Sequence, residues 1–204
     1  MASIYDIKPA FQDLLRPLTR ALASAGVTAN QVTITAALLS GAVGACIYFY
    51  PQEHWPPVVM AAFLFVRMAL NAIDGMLARE HNMKSRLGAV LNEIGDVAAD
   101  TALYLPLALV PAFSPRLVVI ITILAIISEM TGVVAIQIGA SRRYDGPMGK
   151  SDRGFVFGLL ALLLGLKVHL GQWLWVAQIA ICALLGLTIL NRARRALAES
   201  PRVK

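Results

Sequence analysis

The sequence predicts an all-α polytopic membrane protein, with six transmembrane helices preceded by one amphipathic helix lying in the membrane interface. Three observations predict it. Apolar side chains make up 58% of the residues and charged ones 15%, far outside the composition of a soluble domain. Apolar runs near the ~20 residues that a spanning helix needs recur along the chain. Lysine and arginine gather in alternate connections between those runs, the asymmetry that sets topology in a membrane. The length fits one domain over 1–204, divided into an interfacial segment 1–26, a transmembrane bundle 27–192 and a tail 193–204.

Residues 1–26 are too polar to span, yet Ile7, Phe11, Leu14, Leu18 and Leu22 recur at helical spacing. Lys8, Gln12, Asp13, Arg16 and Arg20 occupy the rest of the wheel, which predicts a helix in the interface. Pro9 suits a first turn, whereas Pro17 is expected to kink or split the helix. No basic region followed by an apolar core and a small-residue cleavage site is present, so no signal peptide is expected. The polar stretch 26–33 turns the chain, with Thr28 or Asn30 as N-cap of the next helix.

The first apolar run, 30–50, carries Ser40, Gly41 and Gly44, small residues that permit close helix contact. The second, 57–78, buries Arg67, followed by Asn71 and Asp74. A cation inside the membrane needs a partner, and Glu129 in the fourth run, 117–140, is expected to supply it as a structural ion pair. The third run, 97–112, reaches a full span only if the polar residues 92–100 join its helix. Runs 154–169 and 173–190 complete the six, and Tyr48, Tyr50, Trp55, Trp173 and Trp175 mark the far interface as an aromatic belt. Cys46 and Cys182 lie inside apolar runs, without a CxxC pair, and read as packing residues.

Arg79, Lys84 and Arg86 fall between the second and third runs. Arg142, Arg143, Lys150 and Arg153 fall between the fourth and fifth, and Arg192, Arg194, Arg195, Arg202 and Lys204 follow the sixth. Only Arg116 and Lys167 lie on the other side, so both termini are predicted to be cytoplasmic. The net charge of +6 fits anionic lipid headgroups rather than nucleic acid, because no basic aromatic patch accompanies it.

Chemistry concentrates between Asn71 and Asp100. Asp74-Gly75, Ala78-Arg79, Gly88, Asn92, Asp96 and Asp100 recur at helical intervals, so many share a face. Carboxylates at that spacing, beside small residues, suggest a polyanion held through metal ions. Asp74 and Asp96 are the firmest ligand candidates, Gly75 and Ala78 offer a nearly bare helix face, and Arg79 can meet a phosphate. Gly88 would let the helices of the second and third runs close around the ligand. The segment 139–154, GASRRYDGPMGKSDRG, is not a Walker A loop, because Tyr144 stands where the first glycine would be needed. Its Arg142, Arg143, Lys150 and Arg153 could instead form an anion pocket.

The chain reads Asn71-x-x-Asp74-Gly75-x-x-Ala78-Arg79, eight residues, then Gly88-x-x-x-Asn92-x-x-x-Asp96. It resembles the signature DxxDGxxARx8GxxxDxxxD of the CDP-alcohol phosphatidyltransferases in every spacing. ANQVT around Asn30 and the GKSDR segment resemble the same family, and the NxxDG form resembles a small bacterial branch of inner-membrane proteins. The resemblance implies metal-dependent transfer of a phosphatidyl group from CDP-diacylglycerol, or a similar CDP-linked lipid, to an alcohol, with release of CMP. It implies Mg²⁺ or Mn²⁺ at Asp74 and Asp96, with Asn71 and Asn92 in the two remaining ligand positions, and Asp96 as the base. Asp74, Gly75, Ala78, Arg79 and Gly88 would contact the CDP moiety, and Arg142, Arg143, Lys150 and Arg153 a phosphorylated acceptor. A homodimer surrounded by membrane lipids in a bacterial inner membrane, with a cytoplasmic active site, is also implied. The departures are the two asparagines, for which Glu93 and Asp100 could compensate. An enzyme with a re-drawn metal shell or a single metal, a non-catalytic CDP-lipid-binding protein, and a small ion or solute transporter are the alternatives.

Overall fold

The computed structural model describes residues 4–200 and, among them, contains seven α-helices and no strand. Residues 1–3 and 201–204, with Arg202 and Lys204 of the predicted basic tail, lie outside the described residues. The helices are α1 (Ile4–Ser24), α2 (Ala29–Phe49), α3 (Trp55–Glu80), α4 (Arg86–Tyr104), α5 (Pro115–Val134), α6 (Lys150–Gly165) and α7 (Gln172–Glu199). Short 3-10 segments, Leu105–Leu109 and Ala135–Ile138, extend α4 and α5.

Local chemistry sets the ends of these helices. Thr28, not Asn30, caps α2: its hydroxyl accepts from Gln31 N–H at 3.3 Å while the Gln31 side chain accepts from Thr28 N–H at 2.9 Å. Ser85 caps α4 by accepting from Gly88 N–H at 2.9 Å, and Asp152 accepts Gly149 N–H at 2.9 Å ahead of α6. Residues 92–100 do belong to a helix, but that helix starts at Arg86 and yields at Pro106 to the 3-10 segment, rather than running through 97–112. α1 is likewise one helix through Pro17, where the sequence predicts a kink or split.

Helices α2, α3, α5 with its 3-10 extension, and α7 are long and apolar enough to cross a membrane. They pack as α2 on α3 and α4, α3 on α6, and α5 on α7. The crossing of α2 and α4 depends on Gly44, where a Cβ would lie 1.9 Å from the Ala102 carbonyl oxygen, whereas Gly41 has open space beside it. Toward the end that carries Tyr50, Trp55 and Trp173, buried Ile47, Met60, Leu103, Leu107, Phe157 and Leu174 form one apolar core. α1 packs on α3: Arg16 donates from Nε and Nη2 to Glu80 at 3.2 Å, and Phe11 meets Phe65 edge-on. Leu14 and Leu18 of α1 remain exposed, as expected of a helix that offers a face to lipid.

Candidate active site

α3 and α4 bring the two acids of the motif to the opposite end of the bundle, which we call the motif end. Asp74 is buried and accepts the Thr33 hydroxyl of α2 on Oδ2 at 2.9 Å. Asp96 is partly open and pairs through Oδ1 with the Lys150 ammonium, the first residue of α6. Four helices therefore converge on two carboxylates.

Below them lies a buried ionic layer. Arg67 does not reach Glu129: its Nη1 donates to Asp100 Oδ1 at 2.5 Å, and its Nη2 to the Asp96 backbone carbonyl at 3.3 Å. The reason is proximity, since Asp100 sits one turn beyond Asp96 on α4 and meets Arg67 across the gap from α3. Asp100 Oδ2 accepts Arg153 at 2.7 Å, and the same Arg153 nitrogen donates to Glu129 Oε1 at 3.0 Å. Glu129 also takes Arg142 at 3.1 Å and lies 3.4 Å from Arg192. Arg142 grips both oxygens of Glu93, each at 2.6 Å, the fork geometry that suits a guanidinium. Burial works against the charge on Arg142, but the bonds to Glu93 and Glu129 outweigh it and push its pKa up.

These pairings bear on several expected roles. Asp100 and Glu93, foreseen as extra metal charge, have both oxygens on arginines. Arg153 is fully buried, and Arg143 is tied to Asp145 and Glu199, so neither stands free as an anion clamp. Lys150 is the member of that expected clamp whose partner is a motif acid. Gly88 admits Asn30 of α2, whose Oδ1 would meet a Cβ at 2.6 Å, rather than α3. The Arg79 guanidinium folds back over Gly75, 3.1 Å from where a Cβ would stand, and covers the shelf that glycine was expected to leave bare. Among the described residues, Asn71 and Asn92 make no side-chain hydrogen bond, which leaves their amide oxygens available.

Sequence reasoning missed two residues. Thr33 aims Asp74, and its signal was present in the ANQVT segment. Arg192 is fully buried and donates to the Ser128 carbonyl at 2.6 Å and the Asp145 carbonyl at 3.1 Å, although it read as a topology charge.

The donor set suits a hard divalent cation: two carboxylates, each preceded by about one helical turn by an unbonded amide oxygen, that of Asn71 or Asn92. The ammonium on Asp96 is a stand-in cation that marks where positive charge is favoured. Among the described residues no three acidic, histidine or cysteine side chains are grouped so as to hold a metal ion, and two of the four motif positions are the neutral Asn71 and Asn92.

This geometry defines a polytopic membrane protein with a paired-acid site at one end of its bundle. The profile of the CDP-alcohol phosphatidyltransferase family matches residues 26–190, and the chain belongs to that family of transferases for substituted phosphate groups. It is 43% identical to the inner membrane protein YnbA of Escherichia coli strain K12, over 98% of this chain and 100% of that one. It is 31% identical to the phosphatidylinositol phosphate synthase of Mycolicibacterium smegmatis, over 98% of this chain and 91% of the relative. The crystal structure of the Mycobacterium tuberculosis phosphatidylinositol phosphate synthase with CDP-DAG bound superposes with a TM-score of 0.77 at 22% identity, over 91% of this chain and 94% of that one. A structure of the same enzyme with manganese and citrate gives a TM-score of 0.73 at 21% identity, covering 91% and 90% of the two chains. Family membership sets aside the transporter reading.

Proposed function

We propose that this protein transfers a phosphatidyl group from CDP-diacylglycerol, or a closely similar CDP-linked lipid, to a phosphorylated alcohol, releasing CMP, with Mg²⁺ or Mn²⁺ at Asp74 and Asp96. The observation that carries the proposal is the convergence of Asp74 and Asp96 with Thr33 and Lys150 at one end of the bundle. The relatives named for CDP-DAG and manganese support the donor and the metal.

Each residue has a distinct task in this reading. Thr33 fixes one oxygen of Asp74 and leaves the other for the metal. Arg67 holds the Asp96 backbone through its carbonyl, so that the carboxylate keeps its place. A bound divalent cation would draw negative charge from the diphosphate and lower its repulsion toward an incoming oxygen. Asp96 accepts the proton of the acceptor hydroxyl as that oxygen bonds to the lipid-side phosphorus. The bond from that phosphorus to the CMP oxygen breaks, and CMP leaves with the electron pair. Gly75, Ala78 and Arg79 hold the CDP moiety, Arg79 by swinging from its place over Gly75. Gly88 serves the same pocket indirectly by seating Asn30. Lys150 receives the acceptor phosphate, while Arg142, Arg143 and Arg153, each held by carboxylates, fix the wall of the acceptor site behind it.

The same reading includes six spans, α4 and α6 completing the four longer helices, in a homodimer of the bacterial inner membrane. The alternating lysine and arginine pattern supports a cytoplasmic motif end and cytoplasmic termini. The test is CMP release by the purified protein from CDP-diacylglycerol, across phosphorylated and neutral alcohols, with Mg²⁺, Mn²⁺ or excess chelator. Metal-dependent release with a phosphorylated alcohol is expected. Release that persists in chelator, or occurs only with neutral alcohols, would overturn the metal or the acceptor class respectively.

A further inference from the structure

Five cations meet five carboxylates at the motif end: Arg67, Arg142, Arg153, Arg192 and Lys150 against Asp74, Asp96, Asp100, Glu93 and Glu129. With Arg79 over Gly75 as a further cation, the layer holds at least one positive charge for every carboxylate before any ligand arrives. A divalent cation added to it leaves excess positive charge, which an anion or the departure of a cation must relieve.

The arginines are poorly placed to depart. Arg67, Arg153 and Arg192 are buried, and each lies in a network whose disruption would strand a charge in low dielectric. Arg142 is held by both Glu93 oxygens and by Glu129. Lys150 differs in three respects. Its side chain is 28% exposed and Asp96 is 21% exposed, so parting leaves both groups in contact with water. It sits on a flexible four-carbon stem at the start of α6, free to swing without moving the helix. Its ion-pair partner among the described residues, Asp96, is the residue a metal would use.

We propose that Lys150 is a displaceable counter-ion: it neutralises Asp96 in the metal-free enzyme and, when a divalent cation takes that carboxylate, swings away to pair with the phosphate of the acceptor. This rests on the proposed metal site at Asp74 and Asp96. The two stations exclude each other, because the ammonium on Oδ1 and a divalent cation on the same Asp96 carboxylate would repel each other at close range. Metal and acceptor binding are therefore positively linked through one side chain, and by linkage each strengthens the other. Lys150 thus makes the site favour an acceptor phosphate only after the metal is in place.

The test uses the detergent-solubilised full chain and reads binding rather than turnover. Mn²⁺ affinity is measured by electron paramagnetic resonance of the free ion, with and without sulfate, an oxyanion probe that binds Mn²⁺ weakly in solution. In the wild type, sulfate should tighten Mn²⁺ binding. In Lys150→Gln, Mn²⁺ alone should bind about twofold to fivefold tighter, the scale of losing one partly exposed ion-pair competitor, and the tightening by sulfate should largely vanish. Lys150→Arg retains a cation that can make both pairs and should behave like the wild type. Unchanged or weaker Mn²⁺ affinity in Lys150→Gln, or an undiminished sulfate effect, would overturn the displacement while leaving the metal site standing. Failure of the wild type to bind Mn²⁺ at all would overturn the metal site, and this inference with it.

Discussion

Toward the aromatic end of the bundle, Ile47, Leu103, Leu107, Phe157 and Leu174 fill the space between helices; toward the motif end the same helices meet through Arg67, Asp100, Glu129, Arg153 and Arg192. Tyr104 stands at the border, its ring stacked on Phe157 at 4.3 Å, one turn from Asp100. The two halves answer differently to change. An apolar contact inside a bilayer is held by close packing, since lipid is as apolar as leucine, and it degrades by degrees. A charge in the other half has no graded alternative, because each carboxylate is shared between partners that would be left uncompensated. The ionic half can therefore hold Asp74 and Asp96 in fixed positions, and it does so at the end where charge is handled.

The sharpest contrast is between two acids four residues apart on α4. Asp96→Asn removes the proposed base and metal ligand from a partly open position, so CMP release should fall by about two to four orders of magnitude. Its melting temperature in detergent should stay near that of the wild type. Asp100→Asn should do the reverse in kind, destabilising the fold by about 3–5 kcal/mol by leaving Arg67 and Arg153 short of a counter-charge. If Asp96→Asn unfolded the protein and Asp100→Asn did not, the division between chemical and structural acids would be wrong. In the apolar half, Gly44→Ala pushes a methyl group onto the Ala102 carbonyl and should cost about 1–3 kcal/mol in thermal unfolding. Mn²⁺ affinity should barely change, since the methyl group meets Ala102 and Leu103 and neither Asp74 nor Asp96.

The same division governs what can be read from the sequence. Apolar runs, caps and the paired-acid motif are local patterns, so most of the helices, and the gathering of Asp74, Asp96 and Lys150 at one end of the bundle, are legible in the order of residues alone. The partner of each charge is not. Counting depth along two helices matches Arg67 to Glu129, but depth does not say which helix is the neighbour. Asp100, at the right height on α4, takes the arginine, and Glu129 is left to Arg142, Arg153 and Arg192. Pairing inside a bundle depends on rotation about each helix axis, and an apolar run that faces lipid on one side and protein on the other gives that rotation only weakly. Gly88 shows the same blind spot: the need for a small residue is visible, but not that Asn30 is what it must admit.

The smallest expected effect lies at the edge of the ionic half, where the segment 139–149 is fastened to α7. Arg143 Nε donates to Asp145 Oδ2 at 2.7 Å, Arg195 reaches Asp145 Oδ1 at 2.6 Å, and Ser141 donates its N–H and hydroxyl to Glu199 at 3.0 and 2.9 Å. Partial burial works against ionisation of Asp145, but the hydrogen bond and charge of Arg143, helped by Arg195, prevail and hold its carboxyl below the usual range. A depressed carboxyl stabilises the folded state fully above its unfolded pKa of about 3.9, and that contribution is lost as pH falls through the lower folded value. The clip should hold unchanged from neutral pH down to about 5 and loosen only below about 4. Because the clip lies at the surface, with Arg195 66% exposed although Asp145 is only 17% exposed, Asp145→Asn should cost about 1 kcal/mol at neutral pH and flatten the acid dependence. Amide hydrogen exchange across 139–149, followed against pH in both proteins, reads this directly. Loosening of the wild-type segment already near pH 6 would show that another group controls it, while equal acid sensitivity in Asp145→Asn would move the control to Glu199, the other acid of the clip.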